Sequence, residues 1–324
     1  MIIMIRFGTI GTSKIVNDFI EASLKSNQLK VTCCYSRDKT KARNLINKFS
    51  IYAVATDKFD ILIDEADAIY IASPNGLHYE QAKYFLSQQK HVLLEKPLTL
   101  DFKQAEELFE IAIKNGVVLM EAYKTIHLPQ FKHLLDFTNS YQPFMINLNL
   151  NKVTSRIKNL KNRIIDNIFD YELGRGSTYD LLIYPVELSV ALFGKVESVK
   201  AFGQKLENKS GLTDCVIIKH QSGVISNITC SKVTNGIIEN EILSDGLTMT
   251  FKDLINLKSI SIHKHNDPNI NELNYEVLEN NLVYEMLVFT KMIETNDYAL
   301  RDYLMNISLE ALKTLNIIEK EQNQ

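Results

Sequence analysis

The sequence predicts a doubly wound α/β domain on a parallel sheet, followed by an α+β domain with a large, mainly antiparallel open sheet. Three observations carry this. Strand and helix patterns alternate over the first 122 residues, the rhythm of a parallel sheet with crossover helices. A glycine-containing turn joins the first strand to the first helix. Beyond residue 195 several strand-like runs follow one another without intervening helices, which only antiparallel neighbours allow.

The elements follow in order. Residues 2–7 read as a strand and 13–25 as a helix; 30–35 and 39–49 repeat the pair. Residues 53–55 and 59–64 form a shorter pair, then 68–72 a buried apolar strand and 78–88 a helix. The run 91–94 is another buried strand, and Asp101 is a plausible N-cap for a helix over 101–114 that Gly116 ends. Residues 117–120 complete the first sheet, so the first domain spans 1–122 and the second 123–324. In the second, Phe144, Ile146, Leu148 and Leu150 alternate as a half-buried strand. A basic stretch with Lys152, Arg156, Lys158, Lys161 and Arg163 reads as a solvated loop or helix face, with phosphate contact the alternative. Residues 179–193 read as one helix; strands follow at 196–202, 214–220, 224–232, 237–243 and 259–263; two helices fill 282–321.

Composition narrows the function. The chain has 324 residues, 45% apolar and 23% charged, as in an ordinary globular protein. A net charge of -3 gives no argument for nucleic acid, and no apolar run nears the roughly 20 residues of a membrane helix. Cys33, Cys34, Cys215 and Cys230 form no C-x-x-C pair or disulfide framework, which fits a reducing cytoplasm. His263 and His265 lack acidic or thiol partners at ligand spacing, so no metal site is expected.

The turn Gly8-Thr9-Ile10-Gly11-Thr12-Ser13-Lys14-Ile15-Val16 lies where a dinucleotide's pyrophosphate meets a helix N-terminus. Gly11 supplies the tight turn, while Ser13 and Val16 stand at the second and third small-residue positions. After the second strand come Ser36 and Arg37, which suit a 2′-phosphate and favour NADP over NAD. Asp38 is near enough to hold a ribose diol, or it caps the next helix. The fourth strand runs out into Ser73-Pro74-Asn75-Gly76-Leu77-His78, where Asn75 and His78 are candidates to line the crevice. Glu95-Lys96-Pro97 ends the fifth strand, so a lysine stands where open α/β sheets bind ligands, before an X-Pro bond with access to the cis form.

These motifs, with Glu121-Ala122 and the later Gly174-Arg175-Gly176-Ser177-Thr178-Tyr179-Asp180-Leu181-Leu182-Ile183-Tyr184-Pro185, resemble the Gfo/Idh/MocA oxidoreductases in order and spacing. The resemblance implies a Rossmann domain for NAD(P) and a second domain for substrate binding and oligomerisation, as a dimer or tetramer. It implies hydride transfer between nicotinamide and an oxygen-bearing carbon of a sugar, polyol or related small molecule. The family's motif lysine falls on Lys96, its aspartate on Asp180 and its His-or-Tyr position on Tyr184, with Glu95 completing the match. In this scheme Tyr184 is the acid/base and Lys96 its electrostatic partner and oxygen ligand, although direct donation by Lys96 stays open. Asp180, one helical turn before Tyr184, orients Lys96 or binds substrate hydroxyls. The competing reading is a non-catalytic dinucleotide-binding sensor or assembly protein, motivated by Ser13 and Val16.

Overall fold

The computed structural model describes residues 4–26 and 29–323. Ile2 and Ile3, expected to open the first strand, lie outside them. The chain divides into two compact units, residues 1–124 with 278–306, and residues 125–277 with 307–324.

The first unit alternates β1 (Ile5–Ile10), α1 (Lys14–Ser26), β2 (Leu29–Tyr35), α2 (Lys39–Phe49), β3 (Val54–Thr56), α3 (Phe59–Glu65) and β4 (Ala68–Ile71). It continues with α4 (His78–Ser87), β5 (His91–Glu95), α5 (Phe102–Asn115) and β6 (Leu119–Ala122). The strands are all parallel, in the order β3-β2-β1-β4-β5-β6. The order reverses between β1 and β4, so a crevice opens there at the carboxyl edge. The strands are apolar because both faces are covered: Ile69, Tyr70, Ile71, Val92, Leu93 and Leu94 are all fully buried. Cys33 and Cys34 belong to the same core. Asp101 caps α5 by accepting from the Lys103 N–H at 2.8 Å, and Gly116 closes that helix in the left-handed conformation.

In the second unit come α6 (Phe131–Tyr141), β7 (Met145–Asn151), α7 (Ile157–Lys161), α8 (Ser177–Asp180) and α9 (Ile183–Phe193). Seven strands follow: β8 (Val196–Lys205), β9 (Gly211–His220), β10 (Ile225–Ser231), β11 (Asn240–Ser244), β12 (Leu247–Lys252), β13 (Lys258–Lys264) and β14 (Ile270–Glu272). The sheet order is β14-β13-β12-β11-β7-β10-β9-β8, antiparallel throughout except for the β7–β10 pair. One face is apolar and buried, through Ile146, Leu148, Val216, Ile218, Ile228, Ile242 and Met249. The other carries a seam of amides: Asn227 donates to Asn147 at 3.2 Å and Thr229 to Asn149 at 2.7 Å.

Finally α10 (Leu282–Thr295) belongs to the first unit, and α11 (Tyr298–Glu321) contributes residues 298–306 to the first and 307–321 to the second. Phe289 of α10 sits 5.7 Å from Phe7, which meets Phe19 at 5.5 Å; Phe19 stacks on Tyr70 at 4.0 Å. This aromatic file fastens α1 and α10 to the sheet. Among the described residues no helix is long and apolar enough to cross a membrane.

One expected element is corrected. The helix over 179–193 is two helices: α8 ends at Asp180 and α9 begins at Ile183. Pro185 has no N–H to donate, and the restart places it in the first turn of α9, where none is needed. The one-face argument for Asp180 and Tyr184, which assumed a continuous helix, therefore does not apply.

Candidate active site

In the first unit the expected cofactor residues gather along one sheet edge. Gly11, Thr12, Ser13, Lys14 and Ile15 follow β1, Ser36 and Arg37 follow β2, Ser73, Pro74 and Asn75 follow β4, Glu95 ends β5 and Lys96 comes next. Gly11 has φ +113°, and a Cβ there would stand 2.7 Å from the Ala72 carbonyl oxygen. Only glycine lets this turn approach β4 so closely. Gly8 lies inside β1, where its missing side chain admits Leu62; a Cβ would come within 2.5 Å of that residue's Cδ2. Its task there is packing. Ser13 and Lys14 are exposed at the start of α1, and Val16 is buried beneath it.

At the end of β2, Asp38 Oδ1 accepts the Thr40 N–H at 3.0 Å and caps α2. The carboxylate is thereby committed to the helix. Arg37 beside it is exposed, with no ion pair among the described residues.

Two separate motifs brace the turn after β5. The Lys96–Pro97 bond is cis. His78 is fully buried; its Nδ1 lies 2.9 Å from the Pro97 carbonyl oxygen and its Nε2 3.0 Å from that of Ser73. Burial holds its imidazole below the ordinary histidine range. Glu121 Oε1 accepts the Leu98 N–H at 3.0 Å. The Pro97–Leu98 peptide group, directly after Lys96, is thus held at its C=O by the histidine of S-P-N-x-x-H and at its N–H by the Glu121-Ala122 pair. Glu95 accepts the Tyr70 hydroxyl at 2.5 Å, and burial raises its carboxyl pKa against the opposing pull of Tyr70 and Lys96.

Glu285 on α10 went unnoticed in the sequence. It is 1% exposed, and neither carboxyl oxygen has a hydrogen-bond partner among the described residues. Burial, then the charge of Glu95, pushes its pKa well above the ordinary 4.5, with Lys124 opposing. The folded state therefore holds this proton more tightly than the unfolded chain. That contribution is complete below pH 4.5 and is lost as pH rises toward the folded pKa, at about 1.4 kcal/mol per unit. Glu285→Gln is expected to gain stability over the parent as pH climbs past 4.5. Parallel melting curves from pH 4 to 8 check this, and a constant difference would refute it.

In the second unit the glycine-rich segment carries Asp180. Gly176 (φ +73°) lies against β9: a Cβ would stand 2.1 Å from the Gly211 carbonyl oxygen. The Arg175 guanidinium packs between Tyr171 and Tyr179, 4.7 and 5.1 Å from their rings, and meets Glu319 at 3.1 Å. Thr178 Oγ1 donates to Asp214 at 2.8 Å. These contacts fix α8, and with it Asp180. Tyr184 follows in the first turn of α9, half-buried.

Asp180 also has an unforeseen partner. Lys232, directly after β10, forms an ion pair with it; the lysine side chain is 5% exposed and the aspartate 26%. A signal was available. Ser226, Ile228 and Cys230 mark the inward face of β10, and Lys232 is the next position in that alternation.

Residues 5–123 match the family model described as oxidoreductase family, NAD-binding Rossmann fold, and residues 151–244 match the GFO/IDH/MocA C-terminal domain. The scyllo-inositol 2-dehydrogenase (NADP(+)) IolU of Bacillus subtilis is 30% identical over 332 residues, covering 99% of this chain and 97% of that protein. The chain belongs to the Gfo/Idh/MocA oxidoreductase family. Its two-sheet fold is that of other such enzymes. KijD10, a 3-ketoreductase from Actinomadura kijaniata solved with NADP and TDP-benzene, superposes with a TM-score of 0.86 at 20% identity, covering 98% of both chains. The UDP-N-acetylglucosamine 3-dehydrogenase GnnA from Acidithiobacillus ferrooxidans gives a TM-score of 0.80 at 18% identity, with 98% of each chain covered.

Proposed function

We propose that this protein is an NADP-dependent dehydrogenase that interconverts a secondary alcohol and a ketone on a polyol or sugar. The observation that carries this is the braced turn holding Lys96 at the carboxyl edge of the Rossmann sheet. End-to-end similarity to a scyllo-inositol 2-dehydrogenase supports the substrate class. Retention of Lys96, Asp180 and Tyr184 together argues against a non-catalytic sensor, which needs none of them.

The residues present fit a dinucleotide. The Gly11 turn and the exposed first residues of α1 offer N–H groups to a pyrophosphate, and Ser36 and Arg37 suit a 2′-phosphate. Ser73, Pro74 and Asn75 would border the nicotinamide side, and His78 acts through the turn it holds. Bound NADP supplies the two-electron hydride acceptor or donor. The protein manages the proton. In the oxidative direction the alcohol O–H proton passes to the Tyr184 phenolate as the carbon loses hydride. A phenol with an ordinary pKa of about 10 needs a cation nearby to ionise at neutral pH, and Lys96 serves as that cation. Asp180 binds substrate hydroxyls.

Titration with NADPH and NADH, followed by a turnover screen of inositols and sugars, tests this reading; tight NADPH binding with turnover supports it. Failure to bind either cofactor, or absence of turnover across the panel, refutes it. Arg37→Gln is expected to lose about 10- to 100-fold in NADPH affinity, the worth of a charge-assisted hydrogen bond, with NADH affinity unchanged. Equal losses for both cofactors would move the 2′-phosphate contact elsewhere.

A homo-oligomer and a cytoplasmic setting complete the proposal. The outer face of the second sheet exposes Phe202 (79%), Ile217 (51%) and Ile225 (36%), an apolar patch suited to a second copy. The four cysteines are unpaired, as a reducing compartment keeps them.

A further inference from the structure

We propose that Asp180 and Lys232 act together as a grip for two neighbouring substrate hydroxyls. The carboxylate accepts from one hydroxyl, and the ammonium donates to the oxygen of the next. This rests on the polyol reading above and deepens it: the preferred substrate carries a vicinal diol rather than an isolated alcohol.

The argument begins with hydrogen-bond supply. An ammonium has three N–H donors. Lys232 is buried, and among the described residues its side chain has one acceptor, Asp180. Two donors therefore lack protein partners in a place where water is largely excluded, an arrangement that costs free energy unless a ligand completes it. Asp180 is the more exposed member of the pair, so a ligand reaching the carboxylate arrives beside the ammonium.

The pair is also rigid. The Lys232 N–H donates to the Leu212 carbonyl oxygen at 2.9 Å, and its own carbonyl accepts the Thr154 N–H at 2.8 Å. Asp180 is held through its N–H to the Gly176 carbonyl at 3.1 Å, at the end of the clamped glycine-rich segment. A fixed acceptor next to a fixed donor matches two oxygens on adjacent carbons, one giving its proton and one receiving. An isolated hydroxyl satisfies only half of it. A purely structural lysine would instead pin α8 and be indifferent to the substrate.

The test uses the full chain saturated with NADP⁺, with scyllo-inositol as substrate and trans-1,2-cyclohexanediol and cyclohexanol as competing inhibitors. The diol is expected to inhibit the parent protein at least tenfold better than the alcohol. Lys232→Met is expected to raise KM for scyllo-inositol about 10- to 100-fold, the worth of one charge-assisted hydrogen bond, and to erase the diol preference. NADP⁺ affinity should stay within about twofold, and Lys232→Arg should recover most of the lost KM because it also donates beside the carboxylate. If Lys232→Met does not fold, the inhibitor comparison on the parent and the Lys232→Arg kinetics decide the matter. Equal inhibition by diol and alcohol overturns the proposal, as does a folded Lys232→Met with a KM within threefold of the parent; in both cases the parent still oxidises scyllo-inositol and the polyol reading survives. A parent that binds NADP⁺ but oxidises no polyol sinks that reading, and this inference with it.

Discussion

Lys96→Ala is expected to lower kcat by about a hundred- to ten-thousand-fold while NADPH affinity stays within about twofold. The split follows from where the lysine stands. The peptide group that follows it, Pro97–Leu98, is held at its C=O by His78 and at its N–H by Glu121, and both bonds are to the main chain. Removing the ammonium therefore leaves the turn in place. What disappears, on the mechanism proposed above, is the positive charge assigned to ionising Tyr184 and to steadying the substrate oxygen as hydride moves. Tyr184→Phe should lose turnover to a similar degree, and the double variant should lose little more than either single one, because the proposed mechanism has the two groups act as a unit. Steady-state kinetics alongside cofactor fluorescence titration would read both quantities. Near-parental turnover in both single variants would remove these residues from the chemistry.

Gly176→Ala should destabilise the protein by about 3 kcal/mol or more, lowering the melting temperature by roughly 6–12 °C. Gly176 combines φ +73° with ψ -143°, a region essentially closed to residues with a Cβ. The added methyl would also meet the Gly211 carbonyl oxygen, which is backbone and cannot swing aside. Either β9 moves or α8 does, and α8 carries Asp180. The loss should therefore appear in substrate KM as well as in melting, with the NADPH constant unchanged. A variant that melts with the parent would mean the segment tolerates a shift that its close packing denies.

The first unit was legible because its signals are local. Strands buried on both faces read as unbroken apolar runs, and Asp101 and Gly116 cap α5 where the sequence placed them. The motif residues are local too, each at the end of its own strand. The second unit was harder. The break at Leu181 and Leu182 follows from Pro185, whose missing N–H matters only once the start of α9 is known. β12 went unread although Leu247, Met249 and Phe251 alternate with threonines as in a half-buried strand, and β14 because all three of its residues are exposed. The β10 alternation turns Lys232 inward, but its partner lies 52 positions away and no local pattern names it; Glu285 went unread because nothing in a helix's own pattern announces a buried acid. Pairings of that kind are properties of the folded chain, not of any window of sequence.

The amide seam on the second sheet bears on how the chain reaches its native state. β7 lies between β10 and β11 in the finished sheet, and its Asn147 waits for Asn227, 80 residues later. At a synthesis rate of about 5–20 residues per second, the strand spends roughly 4–16 seconds outside the ribosome without that neighbour. An apolar strand left bare for so long would invite pairing with other nascent chains. The sequence Met145-Ile146-Asn147-Leu148-Asn149-Leu150-Asn151 keeps one face wet throughout the delay. The asparagines that finally lock the register have by then already served as the strand's protection against aggregation.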